Sequence, residues 1–216
     1  MQTLNARNLS APPMRKIAMT ALVAAALVAT AGTARAESFF VTGAGALSAP
    51  THLDFQIVVP KVLYLRVGTG STLATNPAID QITFTVPAAN VGDSTVIAGT
   101  GGDLTGGVVT ARVIANSGTV TFTTATPNQL LRATGTELIS YSQIKLVVGT
   151  NTTGTALTPP AMTDNSTTST TIAPTANVVN QDAKWTFTYL NTTVPAAGTY
   201  GGSANQGRVT YTASIL

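Results

Sequence analysis

Cysteine is absent from this chain, which excludes disulfides, thiol nucleophiles and thiolate metal sites. Histidine occurs once, at His52, so no paired-histidine metal motif exists and only one histidine is available to assist a nucleophile. Tryptophan also occurs once, at Trp185, and charged residues make up only 9% of the sequence. Beyond the first 36 residues no apolar run approaches the roughly 20 residues of a membrane helix. No segment there shows a 3.6-residue apolar period of useful length, so helical folds are not expected.

What the N-terminus does contain is ordered. Met14-Arg15-Lys16 is basic, residues 17–30 are apolar, and Ala34-Arg35-Ala36 is a small-x-small site before Glu37. That sequence of parts is a cleavable signal peptide over residues 1–36, cut between Ala36 and Glu37. Met14 is read as the true start; a long n-region is the alternative. The apolar stretch is too short for a stable span, so no membrane insertion is expected after cleavage. Residues 37–216 are then secreted, periplasmic or held at the cell surface.

The cut reverses the charge balance. The whole chain carries +3, but Arg7, Arg15, Lys16 and Arg35 lie before the cut. Seven basic residues then face eight acidic ones, a net charge of −1. No basic face remains for nucleic acid or an anionic membrane. One domain over residues 37–216 is expected.

Threonine fills 36 positions of residues 37–216. It is β-branched and favours strands. Period-2 alternation recurs at residues 81–86, 119–123, 184–189 and 208–215, each with one apolar and one wet face. Residues 53–59 and 61–67 also alternate, with Pro60 between them marking an edge or a bend. The alternation changes phase within residues 137–148, which predicts a bulge near Ser142-Gln143. Asn116-Ser117-Gly118 joins two alternating runs and predicts a hairpin. These signs predict an all-β antiparallel sandwich or barrel. Residues 87–106 read as a loop with a short strand at Thr95–Ala98, and residues 149–182 as a long Thr-rich loop, with an edge strand near 171–173 or 177–179 as the alternative.

The chemistry-bearing residues are sparse. Asp80, Asp93 and Asp103 surround a Gly-rich stretch but lack calcium-loop spacing, so turn roles are expected. Gly99-Thr100-Gly101-Gly102-Asp103 lacks the lysine and following helix of a phosphate loop. His52 has no Gly-x-Ser-x-Gly elbow to work with and reads as a surface residue. No catalytic residue, metal ligand or cofactor site is assigned. Trp185, Tyr189, Tyr211, Tyr64 and Tyr141 form a candidate sugar platform, but Trp185 and Tyr189 fall on the core parity of their strand. Asn151, Asn165 and Asn191 open Asn-x-Ser/Thr sequons, expected by chance in such a composition.

The C-terminus carries one further signature. Ala197-Gly198-Thr199-Tyr200 precedes a last alternating strand in which Val209, Tyr211, Ala213 and Ile215 share one face. This close resembles that of secreted bacterial fimbrial (pilin) subunits and spore-coat-U-like proteins. The resemblance covers about twenty residues, and the chain lacks the cysteines of many such subunits. It implies an incomplete Ig-like β-sandwich, completed by a strand from another copy through β-augmentation. Phe39, Val41, Gly43, Gly45 and Leu47 share one parity and suit such a donor strand. The same run reads equally as a first strand of its own domain. The expected function is a non-enzymatic exported structural or surface subunit, forming a homo-oligomer by strand addition. The alternative is a monomeric secreted module that binds carbohydrate or protein through its long loops.

Overall fold

Alternating segments become strands where they find an edge to pair with. The computed structural model describes residues 37–215. The chain divides into two units at Val58–Val59. In the first, residues 37–58 contain no strand. The second, from Val59 onward, is all-β. Its strands are β1 (Leu63–Val67), β2 (Ile82–Thr83), β3 (Ile97–Ala98), β4 (Thr100–Gly101), β5 (Val108–Ala115) and β6 (Val120–Thr126). They continue as β7 (Leu130–Leu131), β8 (Leu138–Ile139), β9 (Ile144–Val148), β10 (Ser166–Ile172), β11 (Val179–Tyr189) and β12 (Thr210–Ser214).

Two antiparallel sheets dominate. One runs β1-β5-β11-β3, with β9 also on β11; the other runs β10-β6-β12. Strands β2–β4 and β7–β8 form two short ribbons. Strict alternation of buried and less buried residues in β5 and β6 shows that each sheet has one inner face. Val109, Ala111, Val113 and Ala115 of β5 share a core with Val120 and Phe122 of β6. The arrangement is sandwich-like.

The core is organised around one indole. Trp185 on β11 is fully buried, and its Nε1–H donates to the Leu157 carbonyl at 2.7 Å. Its ring lies 6.3 Å from Phe122 and 5.3 Å from Tyr211, both on the other sheet. Such aromatic pairs add about 0.5–1.5 kcal/mol each beyond their area burial. Leu157, itself fully buried, brings the chain before β10 into the same cluster.

Four expectations change. The turn at residues 116–118 does not make a hairpin, because β5 and β6 belong to different sheets. It carries the chain across the core, and the Asn116 side chain ties it down by accepting from Val62 N–H and donating to the Pro60 carbonyl, both at 2.7 Å. The phase change at 142–143 is a 3-10 turn, Tyr141–Gln143, not a bulge. Its start is capped by Ser140, whose hydroxyl accepts from Ser142 N–H. Residues 149–182 are not one loop: the alternative of an edge strand holds in part, since β10 is an edge strand that begins earlier, at Ser166, and reaches Ile172, and β11 begins at Val179. The Thr-rich run there pairs in full register with β6. Finally, residues 53–59 alternate but form no strand, and among the described residues of the first unit, 37–58, there is no strand edge to pair with.

Trp185→Ala should destabilise the domain by about 3–5 kcal/mol through cavity formation and the orphaned Leu157 carbonyl. Urea unfolding followed by tyrosine fluorescence measures the loss.

Candidate functional site

On one side of the sandwich two sheet edges meet without pairing. Strand β1 ends the first sheet and β12 ends the second, and they run side by side without a ladder. Leu65 and Val67 of β1 and Tyr211, Ala213 and Ile215 near the C-terminus pack against the core. Their inward parity explains the local structure: the side chains are satisfied while the outer backbone edges are not. Unpaired edges of this kind accept added strands.

The loop after β1 folds back beside that strand. The Tyr64 hydroxyl donates to Ser71 O at 2.8 Å and Arg66 Nη1 donates to Gly70 O at 2.6 Å. Asp80 receives Thr69 N–H at 2.5 Å and the Thr69 hydroxyl at 2.8 Å. Gly68 has φ +90, and a Cβ there would meet the Asp80 carboxylate, so the turn needs glycine. These bonds hold residues 73–76 away from β1 and leave an open groove of about 520 Å³. Val62, Leu63, Tyr64 and Leu65 line one side, Leu73 and Asn76 the other.

Residues 37–58 are largely exposed, with a bend at Ala44-Gly45. Of the donor-strand parity, Phe39, Gly43, Gly45 and Leu47 are exposed and Val41 is half-buried; none is in a strand. The run Leu53, Phe55, Ile57, Val59 is more exposed still, with Phe55 at 86% and Ile57 at 87%. Glu37, the residue after the proposed cut, pairs with His52 at 2.9 Å. Ala36 lies outside the described residues.

Carboxylates elsewhere act as loop pins. Asp182 receives the N–H groups and both hydroxyls of Thr152 and Thr153, at 2.6–3.1 Å. Partial burial raises its pKa. The Thr153 hydroxyl, the Thr152 N–H and hydroxyl and the Thr153 N–H outweigh that and bring it to about 2. Asp164 accepts Tyr141 N–H at 2.7 Å and Gln129 Nε2 at 3.0 Å. Burial, then the Asp164 charge, pushes the Tyr141 hydroxyl up to about 12. That hydroxyl donates to Gln206 O at 2.5 Å and staples the loop before β12.

The remaining sequence candidates scatter. Asp93 accepts Thr95 N–H, and Asp103 accepts Thr110 N–H, each serving its own loop. Among the described residues no three His, Asp or Glu side chains gather as metal ligands. Trp185, Tyr141 and Tyr189 are buried, so the aromatic residues do not form a surface platform. Asn191 is also fully buried, with φ 54. Its side chain accepts Gly92 N–H at 3.0 Å and donates to the Asn90 carbonyl at 2.5 Å, locking residues 90–95. Asn151 and Asn165 are exposed. Sequence reading missed the Asp182 and Asn191 clusters, because neither carries a local spacing: partners lie about 30 and 100 positions away. No family model, curated protein or solved structure matches this chain.

Asp182→Asn should lower stability by about 1 kcal/mol at neutral pH, allowing for solvent screening. The folded pKa lies below the ordinary value of 3.8, so the stabilisation is full above about pH 4. It disappears as pH falls through about 2. Thermal melts of wild type and variant should therefore converge across that window.

Proposed function

We propose that this protein is an exported, non-catalytic structural subunit of the cell surface that self-associates by strand addition. The observation that supports the reading is the seam where β1 and β12 lie side by side as sheet edges without a ladder, with a groove of mixed polar and apolar lining bordering β1. In this reading the domain is an incomplete Ig-like sandwich of the fimbrial or spore-coat-U-like kind, and the leader over residues 1–36 directs it out of the cytoplasm.

The N-terminal segment supplies what the seam lacks. Phe39, Val41, Gly43, Gly45 and Leu47 on one parity, or Leu53, Phe55, Ile57 and Val59 further along, would present large apolar groups in strand alternation to another copy. Backbone bonds provide affinity and the alternate side chains set register. Exposed apolar residues in such a run are costly to an isolated chain, at roughly 1.5–3 kcal/mol of forgone burial for each large side chain. Docking into a second copy recovers that energy.

Size-exclusion chromatography and electron microscopy test the proposal on residues 37–216, on the same chain lacking residues 37–48, and on one with Phe55 and Ile57 changed to Ser. The intact chain should form oligomers, and at least one change should return it to monomer with its melting temperature lowered. A chain that is monomeric in all three forms overturns the reading.

A further inference from the structure

The outer face of the β10-β6-β12 sheet is a lattice of hydroxyl groups. Ladder register places Thr167, Ala125 and Thr210 in one row, Ser169, Thr123 and Thr212 in the next, and Thr171, Thr121 and Ser214 in the third. Eight of these nine positions carry a hydroxyl, and none carries a charge or an aromatic ring. The residues on β10 and β12 are exposed, and those on the central strand β6 are half-buried between them. Only Thr123 and Ser214 spend their hydroxyls on the sheet, each reaching a neighbouring carbonyl at a long 3.5 Å.

The opposite outer face is built differently. There Arg66, Arg112 and Asp182 lie in one row across β1, β5 and β11, and Lys184 and Lys145 follow nearby on β11 and β9. A surface selected only for solubility mixes charge over both sides. Here the three rows bear only short side chains, most with stiff χ1 angles, whose spacing the backbone sets, and Arg208, exposed two positions before Thr210 on the same parity, borders them. That spacing is about 4.8 Å between strands and about 6.8 Å between successive outward residues.

We propose that this face binds ordered water at the surface of ice. Water oxygens in ice repeat in two directions at intervals close to those of the array. Each Thr or Ser hydroxyl both donates and accepts, as a lattice water does, while the Thr methyls fill the spaces between. A small organic ligand is a poorer match, because it needs a concave site with convergent polar groups and this face is a regular surface. Lysine or arginine would impose its own tight hydration, and neither occurs within the three rows. Right-handed twist accumulates over only two strand pairs, about 40–50° in all. The lattice match is therefore best along the central row, Ser169-Thr123-Thr212, and the expected activity is modest: shaping of ice crystals and inhibition of recrystallisation. This activity is independent of strand addition, which uses backbone edges.

The test uses residues 37–216 in an ice-recrystallisation assay and nanolitre osmometry, with Thr123→Lys and Thr212→Lys as face variants. Thr186→Lys, outward on β11 of the charged sheet, is the matched control. The wild-type chain and control should shape ice and slow recrystallisation. Each face variant should need about tenfold more protein for the same effect, the size of losing one central contact, at an unchanged melting temperature. Absence of any effect of the wild-type chain on ice overturns the proposal, as does equal loss in the Thr186→Lys control. Adsorption to crystalline polysaccharide, or pairing of copies through this face, without an effect on ice also overturns it.

Discussion

Burial of a single indole between two sheets is the constraint on which the rest of the domain depends. Without disulfides or metal thiolates, the chain must hold its sheets together by packing alone. Trp185 does this from β11 by reaching Phe122 and Tyr211 on the facing sheet, while its N–H fixes the Leu157 carbonyl. The indole thus connects both sheets and the irregular chain leading to β10. Its one polar atom is satisfied, so the cluster carries no desolvation penalty there. The neighbouring core positions are small by comparison: Ala111, Ala115 and Ala183 are fully or almost fully buried. Small residues beside the large ring on its own sheet leave room for Phe122 and Tyr211 of the other, which is how a core with few aromatics still closes.

Given that core, the few charges are free to organise the surface. Asp80, Asp103, Asp164 and Asp182 each accept backbone N–H groups from loops, which neutral side chains do less strongly. A carboxylate with several donors holds a loop as a cross-link would in a chain that had cysteines. Asp103 and Asp182 each tie a loop to a strand fixed by the core, Asp80 joins the two ends of the connection between β1 and β2, and Asp164 holds the 3-10 turn at Tyr141. Asn191 does the same work without charge: buried and left-handed, it offers an acceptor and two donors to residues 90–95.

The strand class was legible because alternation is a property of neighbours in sequence. Trp185, Phe187 and Tyr189 against Lys184, Thr186 and Thr188 identify an inner and an outer face, and β11 has them. Sheet membership was not legible. The run ending at Ala115 and the run starting at Val120 look like hairpin arms, yet an arch across the core satisfies the same alternation. What decides between them is Asn116 bonding to Pro60 and Val62, a contact more than fifty positions away in sequence. The β10 strand was hidden for another reason. Its inward residues Ser166, Thr168 and Thr170 are polar, so the segment lacks the apolar parity that marks a strand. Thr168 settles into the structure by donating its hydroxyl to the Ala161 carbonyl at 2.5 Å.

Polar residues inside β10 and along its outer face also explain why the two sheets differ in character. The three-stranded sheet ends on β10 and β12, and both edge strands are rich in Ser and Thr and free of charge. Natural sheets guard their edges with charge, proline, bulges or a covering segment. Strand β1 has such protection in part: Pro60 precedes it and the Asp80-pinned loop borders it. Strand β12 has none of these within its span, and its outward residues Thr210, Thr212 and Ser214 add hydroxyls where a guarded edge would carry lysine. An unpaired edge beside an uncharged set of hydroxyl rows places two distinct surfaces on one small sheet: backbone groups point sideways along the ladder and hydroxyls point outward from it. Partners of different kinds can therefore meet this sheet without competing for the same atoms.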